Sequence, residues 1–170
     1  RAKALGRNRF VVFDEEMHAH VVATLQLEND LRRALSRSEF RPYYQPIVSL
    51  ENGRIAGFEV LARWEHPERG LLPPSSFIPV AEEMGTIIQL DRSIIEQGSN
   101  QLRAWQQAYR RSPPLYVSVN VSGTQFNQTD LVPHIDLTLR KAGLYGRSLT
   151  IEVTESVLME NAAHALDMLE

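Results

Sequence analysis

The sequence contains no cysteine, which excludes disulfides and thiolate metal sites and fits a reducing cytoplasm. No apolar run approaches the roughly 18 residues of a membrane span, and no signal-peptide pattern stands at residue 1. The five histidines, at positions 18, 20, 66, 134 and 164, show no metal-ligand spacing and read as incidental. Neither sign of charge is in large excess. A net charge of −3 gives no support for general nucleic-acid or membrane binding, so no DNA or RNA partner is expected. The small basic cluster Arg1, Lys3, Arg7 and Arg9 reads as solvated surface, and Tyr109-Arg110-Arg111 as an exposed helix end. The remaining composition is ordinary for a globular protein: 43% hydrophobic and 23% charged residues over 170 positions, with no internal repeat.

Patterning divides the chain. Residues 1–5 read as a helix end capped by Gly6, and Phe10 to Phe13 as a short strand. From Asp14 to Ser38, Met17, Val21, Leu25, Leu31 and Leu35 recur at mostly helical spacing, giving a helical linker or, alternatively, the first helix of the main domain. Arg41 to Leu50 is strand-like despite Pro42 and Pro46, and Glu51-Asn52-Gly53-Arg54 is a turn that makes an antiparallel hairpin with the next strand. Residues 66–70 read as a loop. Ser75 or Ser76 is the expected N-cap of a helix over Phe77 to Met84 that Gly85 stops, and a long amphipathic helix spans Ile87 to Arg111. Strand 115–122, helix 130–142, strand 148–154 and helix 157–170 come next. Their spacing predicts parallel strands with crossover helices. The predicted fold is α/β, a partial barrel, because a complete (β/α) barrel takes about 250 residues. Arg1 falls inside a helix-like stretch, which suggests a piece of a longer protein.

Three apolar strands each carry polar side chains with period two. Glu59 shares a face with Leu61 and Arg63, Asn120 with Ser118 and Ser122, and Glu152 with Thr150 and Thr154. The opposite faces carry Phe58/Val60, Val117/Val119 and Ile151/Val153, suited to packing under helices. Glu59, Asn120 and Glu152 fall toward strand C-termini, where barrel enzymes place their sites. All three ligate through oxygen, and hard donors of that kind favour Mg²⁺ or Mn²⁺ over zinc. Arg63 lies roughly 13 Å beyond Glu59 at ~3.3 Å per residue, placed to hold a phosphate group beside the metal, with Gln45 donating from the adjacent strand. That set points to metal-assisted phosphodiester hydrolysis by metal-activated water. Other readings stand beside it. Glu59 and Arg63 could form a structural ion pair, Asn120 could be a satisfied interior amide, and Glu152 could bond to strand-end amides or Thr154. Glu155 fits ordering of the following loop better than metal binding. Paired carboxylates also occur in glycosidases, though these need neither the amide nor the arginine.

Tyr44-Gln45-Pro46-Ile47-Val48, Gly57-Phe58-Glu59-Val60-Leu61-Ala62-Arg63-Trp64, Phe77-Ile78-Pro79-Val80-Ala81-Glu82-Glu83, Val119-Asn120-Val121-Ser122 and Ile151-Glu152-Val153-Thr154-Glu155-Ser156 resemble, in order, the motifs of EAL-domain proteins. That family hydrolyses cyclic di-GMP to linear pGpG on a modified TIM barrel with an antiparallel first strand. The resemblance implies Glu59 and Glu152 as catalytic metal ligands and Asn120 as a third. It implies Gln45, Leu61 and Arg63 as substrate contacts and Glu155 as the residue that steadies a catalytic loop. The signature tripeptide here is Glu59-Val60-Leu61 rather than Glu-Ala-Leu, and Val60 points away from the site by alternation. The family's Asp-Asp-Phe-Gly-Thr-Gly type motif, catalytic lysine and later glutamate and glutamine do not occur among these residues. Residues 1–13 resemble the tail of a GGDEF domain, so the expected organisation is GGDEF tail (1–13), helical linker (14–38) and N-terminal half of an EAL domain (39–170). The chain alone is expected to be inactive. The parent is expected to be cytoplasmic or anchored through upstream segments, and to be a homodimer through EAL or linker contacts. A non-catalytic cyclic di-GMP receptor or signalling scaffold is the alternative.

Overall fold

A computed structural model describes residues 15–160. The expected GGDEF-like tail and the end of the last helix lie outside those residues. Helix α1 (Glu15–Ser36) leads into strand β1 (Phe40–Val48), which turns back into β2 (Ile55–His66). Strand β3 (Gly70–Leu72) and helices α2 (Pro74–Glu83) and α3 (Ile87–Ala108) precede β4 (Tyr116–Asn120). Helices α4 (Gly123–Phe126) and α5 (Leu131–Ala142), strand β5 (Leu149–Glu152) and helix α6 (Glu155–Glu160) complete the order. Among the described residues no helix is long and apolar enough to cross a membrane.

The sheet runs β1-β2-β4-β5, with β3 added to β2. β1 is antiparallel to β2, whereas β2, β4 and β5 are mutually parallel. This is the expected α/β arrangement, a barrel segment with a reversed first strand. Pro42 and Pro46 are tolerated because β1 is paired on one side only among the described residues. Residues four apart direct their backbone nitrogens the same way, and an outward-facing nitrogen needs no hydrogen. The hairpin turn closes as its residues require: Gly53 adopts φ 67°, and the Asn52 side chain accepts from the Arg54 N–H at 3.0 Å.

One face of the sheet is the core. Val60, Val117 and Val119 are buried under the apolar stripe of α3, formed by Leu90, Ile94, Ile95 and Leu102. Gly98 lets that helix approach, since a Cβ there would stand 3.3 Å from Val60. Gly57 does the same between strands, where a Cβ would meet the Tyr116 carbonyl oxygen at 2.5 Å. At the upper end, Phe40, Trp64 and Phe77 form an aromatic cluster with ring centroids 5.2 to 5.9 Å apart. Leu31 and Ala34, in the last turns of α1, are buried in the same core.

Several expectations are corrected. The start of α2 is not capped by Ser75 or Ser76. Pro73 occupies the cap and Pro74 the first helical position, where a missing N–H costs nothing. Gly85 does stop the helix, at φ 69°. The loop expected at 66–70 is present as the turn at 67–69, but an unexpected strand, β3, follows it and pairs Leu72 with Trp64. Helix α3 ends at Ala108, and β4 and β5 are shorter than expected. Glu59 is not at the end of its strand. It is mid-strand in β2, which continues to His66 because its upper half pairs with β1 and β3.

Candidate metal and phosphate site

Strand register assembles the site. The antiparallel pairing sets Gln45 opposite Glu59, and the parallel pairings set Ser118 opposite Glu59 and Asn120 opposite Glu152. Residues facing each other in register share a face, so all five lie on the side away from α3. Glu59 is half-buried, whereas Gln45, Asn120 and Glu152 are exposed and Ser118 is buried beneath them.

Hydrogen bonds join the carboxylates to their neighbours. The Asn120 amide donates through Nδ2 to Glu59 Oε1 at 2.8 Å, reaching down one pleat from the strand end. The Ser118 hydroxyl donates to Glu152 Oε1. Glu152 thus takes its partner from Ser118 of β4 rather than from Thr154. Arg63, four residues above Glu59, donates to the Ala62 carbonyl at 2.9 Å and lies 5.9 Å from the centre of the Tyr43 ring. Among the described residues no ion pair joins it to Glu59. Its charge therefore remains available to an anion. Leu61 is half-buried between the two, and Glu155 is exposed at the first position of α6.

The donor chemistry fits a hard divalent cation. Among the described residues no group of three or more His, Cys, Asp or Glu side chains is gathered, so a zinc-type cage is not formed. Glu59, Asn120 and Glu152 instead offer two carboxylates and an amide oxygen, and the bond between Asn120 and Glu59 uses neither that amide oxygen nor Glu59 Oε2. Oxygen-only sets of this kind suit Mg²⁺ or Mn²⁺.

Two residues were not singled out by pattern. His66 is buried, with Nε2 3.2 Å from Asp30 and Nδ1 accepting from the Glu68 and Arg69 N–H groups at 3.1 Å each. It is a structural residue that ties α1 to the β2–β3 hairpin. Asp91 of α3 is buried and accepts from both the backbone N–H and the hydroxyl of Ser122. Its position among Leu90, Ile94 and Ile95 was the available signal: a carboxylate interrupting an apolar stripe.

Burial pushes the Asp91 carboxyl up to about 6, against the pull of its Ser122 hydrogen bonds, and Glu82 adds to the rise. A native value above the unfolded one of about 3.9 means the stabilising contribution is complete below pH ~4 and is lost as pH rises through about 6. A rise of that size corresponds to roughly 3 kcal/mol. In metal-free buffer, Asp91→Asn should therefore gain stability relative to the parent between about pH 4.5 and about pH 7.5. Paired urea melts at those two pH values check this, and an unchanged difference would refute it.

The similarity to known proteins spans the residues of the site. A family model described as the EAL domain matches residues 28–170. The chain is 38% identical over 169 residues to MucR of Pseudomonas aeruginosa, a bifunctional diguanylate cyclase/cyclic di-GMP phosphodiesterase, covering 99% of this chain and 24% of that protein. It is 36% identical over 170 residues to the cyclic di-GMP phosphodiesterase NbdA of the same species, covering 100% of this chain and 22% of that protein. The solved structure of the PaMucR phosphodiesterase in its c-di-GMP complex superposes with a TM-score of 0.80 at 38% identity, covering 85% of this chain and 57% of that one. The chain thus spans about a quarter of the length of these curated relatives.

Proposed function

The chain belongs to the EAL domain family, and on that premise we propose that it carries part of the active site of a phosphodiesterase converting cyclic di-GMP to linear pGpG. The observation that carries this reading is the register that aligns Gln45 with Glu59 and Asn120 with Glu152 on one face. Arg63, on that face by alternation, is not neutralised by Glu59. Glu59, Asn120 and Glu152 would hold a divalent cation, Mg²⁺ or Mn²⁺, which would supply Lewis-acid charge and lower the pKa of a bound water.

The chain's own residues have separable roles. Asn120 fixes the Glu59 carboxylate through its 2.8 Å bond, and Ser118 fixes Glu152 from below, so both carboxylates are oriented before substrate arrives. Arg63 receives a phosphate oxygen through its planar donors, and Gln45 adds a neutral donor from β1. Leu61, between Glu59 and Arg63, offers apolar surface to the nucleotide. Glu155 opens α6 just past Glu152 and orders the loop there. The parent is further proposed to act in the cytoplasm as a homodimer, with a GGDEF domain preceding the linker helix.

The test is hydrolysis of cyclic di-GMP by the full-length protein with Mg²⁺, read as pGpG by chromatography. Arg63→Ala should weaken substrate binding by about 10- to 100-fold, the loss expected for hydrogen bonds to a charged group. Tight nucleotide binding without turnover would select a receptor instead, and unchanged binding in Arg63→Ala would remove Arg63 from the site.

A further inference from the structure

Strand β4 ends at Asn120, and the chain leaves the sheet immediately afterwards. The Val121 N–H still reaches the Glu152 carbonyl at 2.9 Å, but Ser122 belongs to the following helix. Its hydroxyl accepts from the Gln125 N–H at 3.2 Å and so caps α4. What holds Ser122 from the other side is Asp91. One oxygen, Oδ2, accepts the Ser122 N–H at 3.1 Å and the Ser122 hydroxyl at 2.6 Å. Two residues past Asn120, the chain is therefore pinned between a helix it caps and a helix that packs beneath the sheet.

The placement is costly. Asp91 is 6% exposed on the buried face of α3, next to Leu90, Ile94 and Ile95, where an apolar side chain would be the more stable occupant. Rules of burial are broken in this way at functional sites. The location matches. Asp91 lines a cavity of about 280 Å³ together with Leu61 and Asn120, two residues of the site face. The carboxylate thus stands in the wall that connects the α3 layer with the strand ends.

We infer that Asp91 is a positioning residue: by gripping Ser122 through both its N–H and its hydroxyl, it sets where β4 ends and hence where the Asn120 amide stands beside Glu59. The inference deepens the phosphodiesterase reading and rests on it for the roles of Asn120 and Glu59. Asp91 touches neither substrate nor metal. Its effect passes through Ser122 and Val121 to the amide.

Three variants of the full-length protein test it: Asp91→Ala, Asp91→Asn and Ser122→Ala. Each is measured by calorimetric titration with Mn²⁺ alone, by cyclic di-GMP turnover with Mg²⁺, and by metal-free melting. Asp91→Ala should weaken Mn²⁺ binding by about 10- to 100-fold, as loss of a ligand-orienting partner does, and should lower kcat more than it raises KM. Asp91→Asn keeps a carbonyl oxygen that accepts both Ser122 bonds, so its affinity should stay within about 3-fold. Ser122→Ala keeps the backbone arm and should fall between. A lowered melting temperature in Asp91→Ala with unchanged Mn²⁺ affinity and kcat would overturn the inference, and so would failure of Asp91→Asn to restore affinity. If Asp91→Ala does not fold, unchanged affinity in Ser122→Ala overturns it. A parent that binds Mn²⁺, weakens in Asp91→Ala and turns over no cyclic di-GMP would refute the phosphodiesterase reading alone. A parent that binds no Mn²⁺ would refute both.

Discussion

Replacing Glu59 with glutamine should reduce cyclic di-GMP hydrolysis by the full-length protein by more than roughly 100-fold, beyond the range seen when only an outer partner of a metal ligand is lost. The substitution is chosen for what it preserves. Glutamine is isosteric, and its carbonyl oxygen can still accept the Asn120 amide that now donates to Glu59 Oε1 at 2.8 Å. Backbone pairing to Gln45 and Ser118 does not involve the side chain. What disappears is one negative charge on a half-buried face. Folding should be unaffected or slightly improved, since a partly desolvated carboxylate is replaced by a neutral amide. Circular dichroism and melting should match the parent while Mn²⁺ affinity and pGpG production collapse together. Full activity in a well-folded Glu59→Gln protein would remove Glu59 from the chemistry.

Trp64→Ala should have the largest effect on stability, about 3–5 kcal/mol, the range for truncating a large buried aromatic. Trp64 is fully buried and sits on the strand that also carries Glu59 and Arg63. It pairs with Phe40 on one side and Leu72 on the other, and its ring lies 5.2 Å from Phe40 and 5.9 Å from Phe77. Removing it opens a cavity where three strands and α2 meet. It also takes the Nε1 donor from Glu39, bonded at 3.0 Å, leaving that carboxylate the Arg37 guanidinium at 4.0 Å among the described residues. Trp64→Phe separates the two contributions. It keeps most of the apolar surface and loses the charged hydrogen bond, so it should cost about 1.5–3 kcal/mol. Urea melts followed by far-ultraviolet circular dichroism check both, and equal losses in the two variants would refute the split.

Short-range repetition was the part of the fold legible in the sequence. Alternation placed Val60, Val117 and Val119 toward the helices and Glu59, Asn120 and Glu152 away from them, and the register agrees. The Asn52-Gly53 turn announced the hairpin, and with it the antiparallel first strand. The unread parts depend on distant partners. β3 has only three residues, and its strand character comes from β2 rather than from Gly70-Leu71-Leu72 itself. His66 carries no motif because its partner Asp30 lies 36 residues earlier on another element. The level of Glu59 within β2 was hidden for a similar reason. β4 stops at Asn120, while β1 and β3 extend β2 beyond it, and no local pattern in β2 records that.

The one-pleat step between Glu59 and Asn120 constrains how the gene can drift. Any exchange of Val117 for another apolar residue leaves the site face untouched. Loss of a single codon in the β4 segment before Asn120 instead turns every later side chain of that strand over. Asn120 would then enter the layer beneath α3, and a valine would stand beside Glu59. Strand length therefore constrains the site more tightly than composition does. Variants that differ by substitution are neighbours of this molecule, whereas those that differ by one inserted or deleted strand residue are not.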